Sequence, residues 1–232
     1  MFIHMMLDAA QMNALVVGGG QIAARKAGAL LAGGATVTVL SPERQEAAWQ
    51  SLTDCRWLVQ SYTDEFVLAG FDLVVAATNQ PELNRRLAER CRSLHILCNC
   101  ASAPDEGSVV LPGVVQGQTF SLAVSSGGRL PGLTKQFKQD LAQFLADYEQ
   151  RYEPDFVEFL AGLRQQIIQQ YASQPEAKQA LLQKLAKLAE HKVEFIGGQH
   201  GGKANYNTAA ALDWLKREQA GAGADAAGGG AD

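Results

Sequence analysis

An apolar run of four residues, Ala14, Leu15, Val16 and Val17, meets three glycines, Gly18, Gly19 and Gly20. The chain then passes without a break into a helix-like run, Gln21, Ile22, Ala23, Ala24, Arg25 and Lys26. That is the layout of a first strand, a tight turn and a first helix in a β-α-β unit. Gly18 and Gly20 fill the first two glycine places of the G-x-G-x-x-G/A fingerprint, and Ala23 fills the third. Gly18 permits the turn, Gly20 leaves the backbone open to a pyrophosphate, and Ala23 lets the helix pack closely on the strand. The pyrophosphate would rest on free N–H groups at the start of the helix, where the dipole favours an anion; Gln21 and Ile22 lie in that turn. A second apolar run, Ala35 to Leu40, completes a β-α-β unit. A glycine turn can also serve geometry alone, but strand, helix and second strand together favour dinucleotide binding.

The chain has 232 residues, enough for one domain of ordinary size and a smaller one, and is 47% hydrophobic. A formal charge of −4 leaves no electrostatic footprint for nucleic acid. No apolar run approaches a membrane span, and the first residues lack the charged flank and apolar centre of a signal peptide. A soluble cytoplasmic protein is expected, with neither nucleic acid nor membrane as partner. The four cysteines, Cys55, Cys91, Cys98 and Cys100, show no C-x-x-C spacing. They are read as buried reduced thiols rather than metal ligands, and no metal site is assigned.

Ser41, Pro42 and Glu43 end the second strand and begin a polar helix expected to reach about Leu52. An acidic residue commonly binds the ribose hydroxyls near this point. Here leucine and serine stand at the strand end and Glu43 comes two residues late. Ser41 could donate or accept a hydrogen bond, and Arg44 is near enough to leave a 2′-phosphate open. NAD is favoured over NADP. A third strand is expected at 56–60 and a fourth, fully apolar, at 72–78. Thr78 and Asn79 then lie at the C-terminal end, where open α/β sheets place ligands. A helix follows from Pro81, with Leu83, Leu87 and Cys91 on one face. A fifth strand is expected at 95–100, with His95 a surface or packing residue.

The pattern changes after Ala101. Short strands are expected at 108–112 and 119–124, with Gln116, Gly117 and Gln118 as the turn. Ser125, Ser126, Gly127, Gly128 and Arg129 then precede an amphipathic helix from Leu133 to about Tyr152. Hydroxyls and glycines opening a helix make an anion site, to which Arg129, Lys135 and Lys138 add positive charge. The same residues would equally make an ordinary capped helix start. From Pro154 the pattern is helical, with Phe156, Phe159, Leu160 and Leu163 on one face, then Ile167, Ile168 and Tyr171. Leu181, Leu182, Leu185 and Leu188 mark the next helix, and Trp214 anchors a last one. These are read as core or subunit interface. Residues 220–232 are low-complexity and expected to be a disordered tail.

With these stretches placed, the sequence resembles the precorrin-2 dehydrogenase family, which includes the N-terminal module of siroheme synthase. The resemblance covers roughly residues 2–145. It rests on the glycine turn followed by Ala23, Arg25, Lys26 and Ala27, on Val39 to Glu43, and on Leu73 to Asn79 with Glu82, Leu83 and Asn84. Cys98 with Asn99, Leu111 with Pro112, and Ala123 to Gly128 extend it. It implies oxidation of precorrin-2 to sirohydrochlorin with NAD⁺ as hydride acceptor, on the route to siroheme. Some members also insert Fe²⁺, and members look like intertwined homodimers.

The resemblance implies an α/β fold with three parts and a tail. These are a Rossmann-like NAD-binding domain over 1–112, a small α+β dimerisation and substrate-binding segment over 113–150, and a helical region over 151–219. The tetrapyrrole carries eight carboxylates, so Ser125, Ser126, Gly127, Gly128, Arg129 and Lys135 are assigned to substrate. Where the family pattern has aspartate after the fifth strand, this chain has Ser102. Serine cannot act as a carboxylate base near neutral pH, so Asp105, water or a substrate carboxylate is the expected proton acceptor, and Ser102 and Asp105 are the catalytic candidates. Strong ferrochelatase activity is not expected, because no clear His or carboxylate set is present; His191 and His200 are read as surface residues. The competing readings are a non-catalytic NAD(H) sensor, a bifunctional dehydrogenase and ferrochelatase, and a dehydrogenase for another polyanion.

Overall fold

The structure is a computed structural model and describes residues 3–150, 152, 154–185, 188, 196–200 and 203–221. The chain divides into two units. One contains everything up to Val114 together with Ala123–Lys138; the other contains Val115–Leu122 and the chain from Gln139 onward.

The first unit is built on a parallel five-stranded sheet. Its strands are β1 (Asn13–Val17), β2 (Thr36–Leu40), β3 (Arg56–Leu58), β4 (Leu73–Ala76) and β5 (Leu97–Cys100), in the order β3-β2-β1-β4-β5. Asn13 pairs with Thr36 on one side of β1, and Ala14 pairs with Leu73 on the other. The chain winds outward from β1 to β3, then returns to β4 on the opposite side. The switch point therefore lies between β1 and β4, the place beyond the C-terminal strand ends where open α/β sheets bind their ligands.

The apolar runs form strands because both sheet faces are covered. On one face Ala14, Val16, Val37, Val39 and Val75 pack under helix α1 (Gln21–Ala32) through Ala23, Ala24, Ala27 and Leu30. Those small side chains let the helix lie close, as the fingerprint requires. On the other face Leu15, Val17, Val74, Ala76, Cys98 and Cys100 pack under α3 (Pro81–Ser93) through Leu87, Ala88 and Cys91. All four cysteines are free thiols, and Cys91, Cys98 and Cys100 are buried. The hydrogen bond with Cys91, reinforced by burial, pushes the Cys98 thiol well above its usual range.

Several local expectations are corrected. The helix after β2 is only the single turn α2 (Glu46–Trp49), because residues 41–45 form an irregular loop tied to the glycine turn by Gln45 N donating to Gly19 O. Residues 108–112 form no strand. They are held to β5 at one point: Ser108 N and Val109 N both donate to Cys98 O at 2.8 and 3.0 Å, Cys98 N donates to Ser108 Oγ at 2.9 Å, and Asn99 Nδ2 donates to the Val109 carbonyl at 2.8 Å. His95 lies outside β5, which begins at Leu97. It sits at φ +58° just beyond α3, where Ile96 N donates to Cys91 O and His95 N to Arg92 O. That is a Schellman cap with histidine in the usual glycine place.

A hairpin pairs β6 (Gly113–Gln116) with β7 (Ser121–Val124), and α4 runs over Pro131–Glu149. In the second unit the hairpin tip is held by Glu149, whose carboxylate accepts the N–H groups of Gln118, Thr119 and Phe120 at 2.9, 2.7 and 2.8 Å. Helices α5 (Pro154–Gln170), α6 (Pro175–Lys184) and α7 (Thr208–Gly221) enclose Leu163, Ile167, Leu181, Leu188, Leu212 and Leu215. Trp214 packs against this core. The helical reading from Pro154 onward missed a two-stranded antiparallel sheet, β8 (Ile196–His200) with β9 (Lys203–Tyr206). Residues 220–221 belong to α7, while His191 and residues 222–232 of the expected tail lie outside the described residues. Among the described residues no helix is long and apolar enough to cross a membrane.

Candidate active site

Gly18 ends β1 at φ +126° with its N–H donating to Leu40 O at 3.0 Å. A Cβ there would collide with the Ala77 carbonyl, so only glycine lets β1 and β4 turn apart. Gly19 is confined differently. Its carbonyl accepts both Gln45 N at 3.0 Å and Trp49 Nε1 at 2.7 Å. A Cβ on Gly19 would run into the Glu43 carbonyl.

Gly20 differs from both. Its φ of −87° suits any residue, and the nearest atom to an added Cβ is Gln45 Oε1 at 4.0 Å. The protein's own packing therefore does not demand glycine at this position. A ligand approaching the backbone does. Gly20 provides no side-chain cap to α1, which leaves the first N–H groups of the helix, including those of Gln21 and Ile22, to meet an anion. Gln21 and Ile22 are exposed beside it, Ile22 at 51%. The turn fits a dinucleotide pyrophosphate.

The loop after β2 forms one wall. Ser41 is buried and donates to Glu43 O at 2.7 Å, so its hydroxyl is committed to the loop and is not presented outward. Pro42 and Glu43 are exposed. Arg44 lies 5.4 Å over the Trp57 ring and 3.6 Å from Glu46, which ties its guanidinium to the outer edge of the sheet.

At the ends of β4 and β5, Asn84 of α3 is fully buried and organises both strands. Its Oδ1 accepts Thr78 N at 3.1 Å and Thr78 Oγ1 at 2.7 Å, while its Nδ2 donates to Thr78 O at 3.1 Å. The same Nδ2 donates to Ser102 Oγ at 3.1 Å. Asn79, Ser102 and Asp105 are exposed on the loops that follow. The Cys100 sulfur lies 3.6 Å from Ser102 Oγ.

The loop assigned to substrate reaches the same region. Gly127 and Gly128 have φ of +64° and +81°, and a Cβ on Gly128 would press into the Pro104 ring, two residues beyond Ser102. Gly127 N donates to Ser125 Oγ at 3.0 Å, and Leu130 N donates to Ser126 Oγ at 3.0 Å. Thr134 Oγ1 lies 3.0 Å from the Ser126 hydroxyl. Ser126 thus fastens the loop to the first turn of α4. Arg129 is exposed, as are Lys135 and Lys138 further along the helix.

The structure therefore brings the glycine turn, Thr78, Ser102 and the loop of Ser125 to Gly128 onto one unit. Three positioning residues were missed. Trp49 and Gln45 act on Gly19 across some thirty residues of sequence and leave no local pattern. Asn84 did leave one, a polar residue on the buried helix face of Leu87, Ala88 and Cys91.

A doubly wound parallel sheet with this turn at its switch point defines a dinucleotide-binding domain. Residues 5–113 match the family model described as putative NAD(P)-binding. A siroheme synthase of Escherichia coli O157:H7 is 33% identical over 168 residues, 72% of this chain and 36% of its own length. One of Enterobacter sp. (strain 638) is 36% identical over 138 residues, 59% of this chain and 30% of its own. The chain thus spans about a third of these relatives. The solved structure of SirC, precorrin-2 dehydrogenase, superposes with a TM-score of 0.59 at 25% identity, covering 93% of this chain and 100% of SirC. The chain is thus similar to the precorrin-2 dehydrogenases in fold and in sequence, and its glycine turn is that of an NAD(P)-binding domain.

Proposed function

We propose that this chain oxidises precorrin-2 to sirohydrochlorin in siroheme biosynthesis, in the cytoplasm. The substrate loses a hydride and a proton, and the products are sirohydrochlorin, NADH and H⁺. The observation that carries this reading is the seating of Gly128 on Pro104, which sets the donor-rich Ser125 to Arg129 loop beside the strand ends of the nucleotide turn.

When bound, NAD⁺ supplies the hydride acceptor. Gly18 and Gly20 would shape its cradle, and the first N–H groups of α1 would hold its pyrophosphate. Thr78 and Asn79 border the strand ends where the reacting ring would lie. Ser125, Ser126, Gly127, Gly128, Arg129 and Lys135 meet substrate carboxylates with hydroxyl, N–H and cationic donors. Asp105, exposed on the loop of Ser102, takes the proton that leaves with the hydride. Hydride transfer needs orientation above all, and a polyanion fixed at its periphery gains it from these contacts.

A homodimer is part of the same proposal. Leu130, Leu133 and Phe137 are 56%, 64% and 51% exposed at three- and four-residue spacing, as an apolar helix face awaiting a second copy would be. The direct test is anaerobic incubation of purified protein with precorrin-2 and NAD⁺. Appearance of the sirohydrochlorin spectrum supports the reading. Nucleotide binding without conversion favours a sensor, and accelerated iron uptake on adding Fe²⁺ would extend the reading to a bifunctional enzyme.

A further inference from the structure

The bonds around Asn84 leave its amide only one orientation. Were it flipped, an NH₂ group would face the Thr78 N–H and an oxygen would face the Thr78 carbonyl, opposing like with like. The backbone of Thr78 therefore fixes Nδ2 toward Ser102, and the Ser102 oxygen must accept at 3.1 Å. With a lone pair so occupied, the hydroxyl proton turns away from Asn84. Its neighbour there is the Cys100 sulfur at 3.6 Å, a weak acceptor. Ser102 is exposed, and its loop carries Pro104, on which the Gly128 turn rests.

We infer that Asn84 is a positioning residue that locks Ser102 as a hydrogen-bond donor to a carboxylate of the tetrapyrrole. This rests on the proposed function and adds to it a named contact. Asn84 touches neither cofactor nor substrate. It acts through Ser102, and from the same amide it holds Thr78 at the end of β4, so the donor has a fixed place relative to the nucleotide turn. Serine then serves binding and orientation and leaves proton removal to another group.

The experiment compares wild-type protein with Ser102→Ala, Ser102→Thr, Asn84→Asp and the Asn84→Asp/Ser102→Ala double variant. Dissociation constants for sirohydrochlorin and, separately, for NAD⁺ are read by titration after thermal denaturation has checked folding. An aspartate at 84 keeps the acceptor for the Thr78 N–H, loses the donor to the Thr78 carbonyl and draws the Ser102 proton inward. Ser102→Ala and Asn84→Asp should each weaken sirohydrochlorin about tenfold, within the range for a hydrogen bond to a charged group. The double variant should be no weaker than Asn84→Asp alone, Ser102→Thr should retain most of the affinity, and NAD⁺ binding should be unchanged in the two Ser102 single variants.

Multiplying effects in the double variant, loss of NAD⁺ affinity in Ser102→Ala or Ser102→Thr, or an unaltered sirohydrochlorin constant in Ser102→Ala would overturn the inference. If Asn84→Asp does not fold, the contrast between alanine and threonine at 102 still decides it. A wild-type protein that binds no sirohydrochlorin overturns the proposed function and this inference together. Wild-type binding with indifferent variants overturns only the inference.

Discussion

Trp49 Nε1 donates to the carbonyl of Gly19 at 2.7 Å, across thirty residues of sequence. The indole is 1% exposed and also meets Trp57 edge-on, with ring centroids 4.9 Å apart. The bond ties the nucleotide turn to the loop beyond β2, and Gln45 N supports it on the same oxygen. Replacing Trp49 with phenylalanine keeps most of the apolar volume and removes the donor. The expected loss is about 1–2 kcal/mol of stability in urea denaturation, with NAD⁺ affinity falling severalfold. An unchanged NAD⁺ constant would separate this bond from cofactor binding.

Gly18 and Gly20 should respond differently to alanine. At Gly18 the side chain meets the Ala77 carbonyl at a backbone angle alien to L-residues, so Gly18→Ala should lower the melting temperature markedly. At Gly20 there is room and an ordinary angle. Gly20→Ala should melt within a degree or two of wild type and bind NAD⁺ poorly. Calorimetry and nucleotide titration on the two variants measure both.

His95 holds a left-handed cap position with an exposed side chain. His95→Gly should stabilise the protein by ~1 kcal/mol, since glycine removes the steric cost of that angle. Equilibrium denaturation checks the sign as well as the size.

Three backbone N–H groups hold the Glu149 carboxyl below the usual carboxylate range, led by Phe120 and followed by Thr119 and Gln118. A depressed folded value means the contribution is present above the unfolded pKa and lost as pH falls through the folded one. Melting temperature should therefore decline in acid more steeply for wild type than for Glu149→Gln. Parallel curves for the two would contradict the assignment.

The sheet and its nucleotide turn were legible because a buried parallel strand must be apolar on both faces, and Val16, Val39 and Val75 declare it. Gly18 was legible from its place after such a run. Residues 108–112 misled because Val109, Val110 and Leu111 read as a strand, yet the N–H groups of Ser108 and Val109 converge on the single carbonyl of Cys98, and Ser108 and Asn99 supply side-chain partners where a ladder would continue. The β8–β9 hairpin escaped because glycines at 197, 198, 201 and 202 erase the alternation that marks a strand. At the site, residue types were readable, whereas the direction of a hydroxyl was not. Ser41 donates to the Glu43 carbonyl of its own loop, while Ser102 is oriented by Asn84 from another element. Such facts belong to tertiary packing.

The measurement that tests the central claim most directly is the anaerobic stoichiometry of NADH to sirohydrochlorin with precorrin-2 and NAD⁺, run on wild type and on Gly20→Ala. If the glycine turn and the Ser126 loop serve one redox site, wild type should yield equal amounts of both products and folded Gly20→Ala almost none of either. Sirohydrochlorin formed without matching NADH, or formed equally well by Gly20→Ala, would contradict it.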